Sequence, residues 1–125
     1  MKYREKFSKE REAREKIRVS NRNRDCLRWS SGESNAHIQR KLDICKILKK
    51  QGKEFYTECI FDNGEGRADI CVVEAENPRI YEIYETETKE SLEVKKAKYP
   101  DIFEIIFVSA SEKFKEEDLE WKEEY

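Results

Sequence analysis

Apolar positions crowd between Ile38 and Val108 and thin out toward both ends of the chain. Ile38, Leu42, Cys45 and Leu48 recur at three- and four-residue steps, and Ile44 and Ile47 widen the stripe. That period predicts an amphipathic helix ending before Gly52. Ser30 followed by Glu33 matches a capping box and sets its expected start. The pattern then turns to strands, at Phe55–Phe61 and Arg67–Val73, separated by Asp62-Asn63-Gly64-Glu65-Gly66, a hairpin turn signal. A third strand, Arg79–Thr86, is entered through Asn77-Pro78. Residues 89–98 read as a helix stopped by Pro100, and Ile102–Val108 as a buried strand.

The flanks are different. Residues 2–18 form a predicted helix whose apolar content is only Tyr3, Phe7, Ala13, Ile17 and Val19, too little for a core-forming face. Residues 19–31 read as a polar linker, and Glu112–Tyr125 as a tail helix with Phe114, Leu119 and Trp121 partly buried. The expected organisation is an N-terminal arm (1–29), a core domain (30–110) and a C-terminal helix (111–125). The core order is helix, three strands, helix, strand. A helical crossover implies that its last two strands run parallel. The fold class is therefore α/β, with a central mixed sheet flanked by helices.

Composition sharpens this picture in three ways. Charged residues make up 43% of the 125 and apolar ones 37%, and only their clustering argues for a folded centre. Net charge is −2, but residues 1–30 hold 11 Lys/Arg against 5 Asp/Glu while the rest holds 15 against 23. A basic arm on an acidic body is the asymmetry to explain. Lys and Glu richness also suits a thermophile or archaeal source. Cys26, Cys45, Cys59 and Cys71 form no C-x-x-C pair, and His37 is the only histidine, which argues against a structural zinc site. Cys59 and Cys71 could face each other across the hairpin. With no long apolar run and no signal peptide, the expectation is a cytoplasmic protein with reduced thiols and no membrane contact.

The candidate chemistry is acidic. Asp69 interrupts the apolar run Ala68-Asp69-Ile70-Cys71-Val72-Val73, where a carboxylate is costly unless paired, hydrogen-bonded or on a metal. Glu85 and Glu87 end the predicted third strand, two residues apart on one face and roughly 6–7 Å apart along it. With Asp69 at the same level on the neighbouring strand, the three would converge and repel one another until a divalent cation arrives. The alternative is that Glu82, Glu85 and Glu87 face solvent on an edge strand.

Gly66-Arg67-Ala68-Asp69-Ile70 and Ile83-Tyr84-Glu85-Thr86-Glu87, in this element order, resemble the R-P-D and apolar-apolar-E-x-K segments of the PD-(D/E)XK nuclease superfamily. The resemblance covers about residues 30–110 and implies a restriction-endonuclease-like αβββαβ core. It implies Asp69 and Glu85 as ligands of Mg²⁺ or Mn²⁺, with Glu87 in the slot where lysine is usual. Lys89, or a lysine from a helix, could take that lysine's part. Glu33-Ser34-x-x-His37-x-x-x-Lys41 resembles the E-S-x-x-H helix of competence-type (CoiA-like) nuclease domains. That makes Glu33 an accessory metal ligand and His37 and Lys41 candidate contacts to phosphate or water. Apart from the resemblance, Glu33 can serve as a cap, and His37 and Lys41 as helix-surface residues. Glu58 is a further candidate near the site, or half of a cross-strand ion pair.

The activity implied is metal-dependent hydrolysis of nucleic-acid phosphodiesters, DNA before RNA, with a homodimer plausible by the same resemblance. A departure from E-x-K leaves a catalytically silent binding module as the alternative. Lys9, Arg11, Arg14, Arg18, Arg22 and Arg24 of the arm could neutralise phosphates, making binding salt-dependent and blind to sequence. A charged helix that aids solubility or pairs with a partner protein explains the arm equally well.

Overall fold

The computed structural model describes residues 3–19, 21–73 and 77–119. Its elements are α1 (Tyr3–Lys16), α2 (Asn35–Lys50), β1 (Phe55–Ile60), β2 (Arg67–Val72), β3 (Arg79–Tyr84), α3 (Lys89–Lys96) and β4 (Glu104–Ser109). Single 3₁₀ turns lie at Asn21–Asn23 and Glu116–Leu119. The four strands form one sheet in the order β1-β2-β3-β4. The first two pairings are antiparallel, and β3 and β4, joined through α3, are parallel. This is the expected mixed sheet flanked by helices.

Local chemistry sets the boundaries. α2 begins later than the capping-box pattern predicts. Ser34, not Ser30, is its N-cap, accepting the His37 N–H at 3.1 Å. The Ser30–Glu33 pair instead closes a separate turn just before the helix: the Glu33 N–H donates to Ser30 O (3.2 Å) and the Ser30 N–H to Glu33 Oε2 (2.5 Å). In the hairpin, Gly64 and Gly66 both hold φ of +69°, a conformation that favours glycine. Gly66 is constrained twice, because a Cβ there would lie 3.1 Å from the Tyr99 ring.

The core has two layers. On one face of the sheet, Ile44, Cys45 and Leu48 of α2 pack on Phe55, Ile70, Val72, Tyr81, Ile83 and Val108. On the other, Tyr99 and Phe103 join Tyr56, Cys59, Phe61, Cys71, Val73 and Ile80. Full burial of an aliphatic or aromatic side chain of this size contributes roughly 1.5–3 kcal/mol. All four cysteines are free, and Cys59 and Cys71 lie buried in the second layer.

Residues 1–29 read in the sequence as an arm, yet their described part is built into the domain. Ala13 is fully buried in the second layer, with Ile17 and Val19 packed against it. Residues 17–19 and 21–28 run along the outer edge of β1. Arg18 N–H donates to Ile60 O, Asp25 N–H to Phe55 O, and Asp62 N–H to Lys16 O, at 2.7–2.8 Å. The Thr57 hydroxyl donates to Cys26 O and accepts from Arg28 N–H. The segment expected to be a linker thus covers an edge strand, whose unpaired N–H and C=O groups are otherwise a template for aggregation. At the other end, the expected tail helix falls partly outside the described residues; among residues 112–119 there is no α-helix but a 3₁₀ turn at Glu116–Leu119, with Leu119 buried beside α2. Trp121 lies outside the described residues. Among the described residues no helix is long and apolar enough to cross a membrane.

Candidate metal and nucleic-acid site

The ladder between β2 and β3 stops at Ile70↔Tyr81. One step further, Asp69 and Glu82 stand opposite each other, and their side chains replace the backbone bonds. Asp69 N–H donates to Glu82 Oε1 (2.9 Å), and Ile83 N–H donates to Asp69 Oδ2 (2.8 Å). Two carboxylates are thereby wedged between strands that part from one another. On β1, at the level where Asp69 would pair, Glu58 adopts φ of +52°, a left-handed conformation that costs a non-glycine residue about 1–3 kcal/mol.

α2 covers this opening with two cations. His37 Nδ1 lies 2.6 Å from Glu33 Oε1, and its Nε2 lies 3.3 Å from Asp69 Oδ2. Lys41 is fully buried, with Nζ at 3.1 Å from Glu33 Oε1 and 2.7 Å from Glu58 Oε1. Arg67 completes the row, its guanidinium 3.2 Å from Glu58 Oε2. Glu33, His37 and Asp69 bring one ligand atom each to within 4.8 Å of one another.

The electrostatics follow from these contacts. The hydrogen bond to Asp69 outweighs burial and, with the charges of Asp69 and Glu33, raises the His37 pKa to about 9. Burial opposes ionisation of Glu33, but the Ser30 N–H and the Lys41 charge outweigh it and hold its pKa below the usual value. Burial, helped by the Asp69 charge, pushes Glu82 up to about 7. Tyr99 donates to Glu82 Oε1 at 2.8 Å, and burial next to that carboxylate raises its own pKa.

Two clefts meet at this cluster. One, of about 570 Å³, is lined by Ser30, Glu33, His37, Glu58, Ile60, Arg67 and Asp69 together with Gly64 and Gly66. The other, of about 230 Å³, shares His37, Gly66, Arg67 and Asp69 and extends to Glu82, Glu87, Lys95, Lys98 and Tyr99.

The structure brings together Asp69, Glu33, His37, Lys41 and Glu58 and leaves out Glu85. β3 ends at Tyr84, so Glu85 and Glu87 lie in the turn leading to α3 rather than on one strand face. Glu85 is exposed and accepts from the Ser34 hydroxyl at 2.6 Å. Glu87 braces its own turn, accepting the Glu85 and Thr86 N–H groups, and Lys95 Nζ lies 3.4 Å from it. The carboxylate facing Asp69 is Glu82, which interrupts an apolar strand as Asp69 does, and that signal was open to the sequence.

Of the expected phosphate contacts, Lys41 is enclosed by carboxylates and has no exposed surface. Arg14 and Arg24 both bind Glu54 at 2.6 Å, and the Arg18 guanidinium donates to Glu15 O and Ile17 O. Lys9 is half-buried, and Arg11 and Arg22 are exposed. None of these arm residues lines either cleft, whereas Arg67, Lys95 and Lys98 do. Comparison of the chain with protein-family models, with curated proteins and with solved structures found no match in any of the three.

Proposed function

We propose that this protein is a metal-dependent nuclease of the restriction-endonuclease-like kind, acting on the phosphodiester backbone of DNA in preference to RNA. The observation that carries this reading is the convergence of Glu33, His37 and Asp69 at the opening between β2 and β3, within a cleft rimmed by Arg67. The donor set fits a divalent cation. Its two carboxylates suit Mg²⁺ or Mn²⁺, and the imidazole tilts the preference toward Mn²⁺. Such an ion, when bound, supplies a Lewis acid and an acidified water for attack on phosphorus.

The chain's own residues do the rest. Asp69 and Glu33 would hold the ion, and His37 would join them on losing its proton. Glu82, with a pKa near neutrality, can exchange a proton at its carboxylate with water in the cleft. Lys95, from α3, lines the cleft beside Asp69 and Glu82 and would take the part of the missing E-x-K lysine.

The test is cleavage of labelled duplex, single-stranded, flapped and branched DNA and of RNA, in Mg²⁺ or Mn²⁺ and in EDTA. Asp69→Asn and Glu33→Gln should reduce cleavage to background with the circular dichroism spectrum retained. Cleavage that survives both substitutions rejects the assignment.

One observation favours a second reading, a nuclease fold that binds without cutting. Lys41, His37 and Arg67 already neutralise the carboxylates without an ion. Absence of Mn²⁺ binding by calorimetry at millimolar metal, together with absence of cleavage, would select it.

A further inference from the structure

Large apolar side chains are rarely left in solvent without a use when they gather at one site. Among the described residues three are exposed: Trp29 (55%), Ile60 (37%) and Val94 (61%). Two of them mark the same place. Ile60 lines the larger cleft, and Trp29 directly precedes Ser30, another of its lining residues. The backbone on both sides of Trp29 is tied down. Arg28 N–H donates to the Thr57 hydroxyl at 2.9 Å, and Ser30 N–H to Glu33 Oε2 at 2.5 Å. The backbone at Trp29 is therefore held beside the cleft, and the side chain stays largely exposed.

The same clefts carry cations, beginning with Arg67, which pairs across the strands with Ile60. Arg67 leaves 56% of its side chain exposed, and Lys95 and Lys98 line the smaller cleft. Because the two clefts share His37, Arg67 and Asp69, they form one groove. Carboxylates line it, Lys95 and Lys98 line its narrower part, and Trp29 adjoins it in the chain through Ser30.

We infer that this groove takes nucleic acid as an unpaired strand, with Trp29 stacked on a base and Arg67, Lys95 and Lys98 on flanking phosphates. The inference rests on the nuclease reading above and names its substrate class. A ring can stack only on a base whose face is free, and an unpaired strand offers one where the interior of a duplex does not. The cations address what every strand has in common, its phosphates. DNA and RNA share this chemistry and are separated by experiment.

The experiment is fluorescence anisotropy with the full-length protein in EDTA and low salt. The probes are a labelled oligo(dT), a labelled oligo(U) and a DNA duplex closed by hairpins at both ends. For the parent protein, at least one unpaired strand should bind more tightly than the closed duplex. Trp29→Ala should weaken that strand by about tenfold or more and leave the duplex unchanged. Trp29→Phe should retain most of the affinity. Quenching of tryptophan emission on binding should vanish in Trp29→Phe, although Trp121 remains. Unchanged affinity in Trp29→Ala, equal losses on strand and duplex, or no binding by any probe overturns the inference. Since no cleavage enters the readout, the two ideas fail separately. Trp29-dependent binding without metal-dependent cutting sinks the nuclease reading, and Asp69-dependent cutting without a Trp29 effect sinks this one.

Discussion

α1 and α2 both carry rows of long charged side chains, but the two rows sit in different surroundings. Arg14 of α1 keeps 43% of its side chain in water while pairing with Glu10 and Glu54. Lys41 of α2 has none in water and is held between Glu33 and Glu58. Exposed pairs are screened and contribute little, whereas breaking a buried pair strands a charge in a poorly solvated interior. The residue type is therefore a poor guide to role. α1 keeps Arg14 at the surface while Ala13 docks the helix, and α2 buries Lys41 to hold an acidic pocket together.

The largest effect should come from breaking the buried pair. Lys41→Met leaves the Glu33 and Glu58 carboxylates without their shared cation and should cost about 3–5 kcal/mol in urea unfolding. That is a large part of a typical domain's total stability. A loss no greater than that of an exposed lysine would erase the contrast between the helices.

The pH dependence of stability tests the other carboxylates. The folded pKa of Glu82 is raised from 4.5 to about 7, so its contribution is present below 4.5 and lost as pH rises through 7. That of His37 is raised from 6.5 to about 9, so its contribution is complete below 6.5 and lost as pH rises through 9. Stability attributable to these two groups should fall from pH 4.5 to 9. Glu82→Gln keeps an acceptor for Asp69 N–H and Tyr99 and should flatten the segment between 4.5 and 7. A parent curve that rises through that segment just as steeply as the variant's contradicts the placement of Glu82.

A gentler probe leaves the fold intact. With one histidine in the chain, the imidazole resonances report His37 alone. Without metal they should titrate near 9, and in Asp69→Asn they should move back toward the ordinary value of about 6.5. An unchanged titration would show that Asp69 does not hold the ring. The smallest change belongs to α1. Arg14→Ala should shift unfolding by less than about 1 kcal/mol, because the Arg14 side chain is itself 43% exposed and Arg24 still pairs with Glu54.

Much of the architecture was legible before any coordinates. The stripe Ile38, Leu42, Cys45, Leu48 predicts α2, the turn at 62–66 predicts the hairpin, and Pro100 predicts the end of the second flanking helix. Asp69 was marked by its apolar neighbours, and Glu33, His37 and Lys41 by their spacing. The 19–31 stretch reads as a linker because its contacts are mainly backbone bonds along β1, which no side-chain pattern announces. Glu85 was preferred to Glu82 because residues 83–87 resemble the E-x-K strand and the third strand was expected to run to Thr86.

What the sequence determined alone is local: which stretches coil or extend, where glycine must turn, and which apolar strands contain an acid. What the tertiary structure decided is register. Only the pairing of Ile70 with Tyr81 sets Glu82 opposite Asp69, and only the packing of α2 lowers His37 and Lys41 among the carboxylates. Periodicity acts through neighbours a few residues apart, while pairing joins residues distant in the chain through the burial of a whole face.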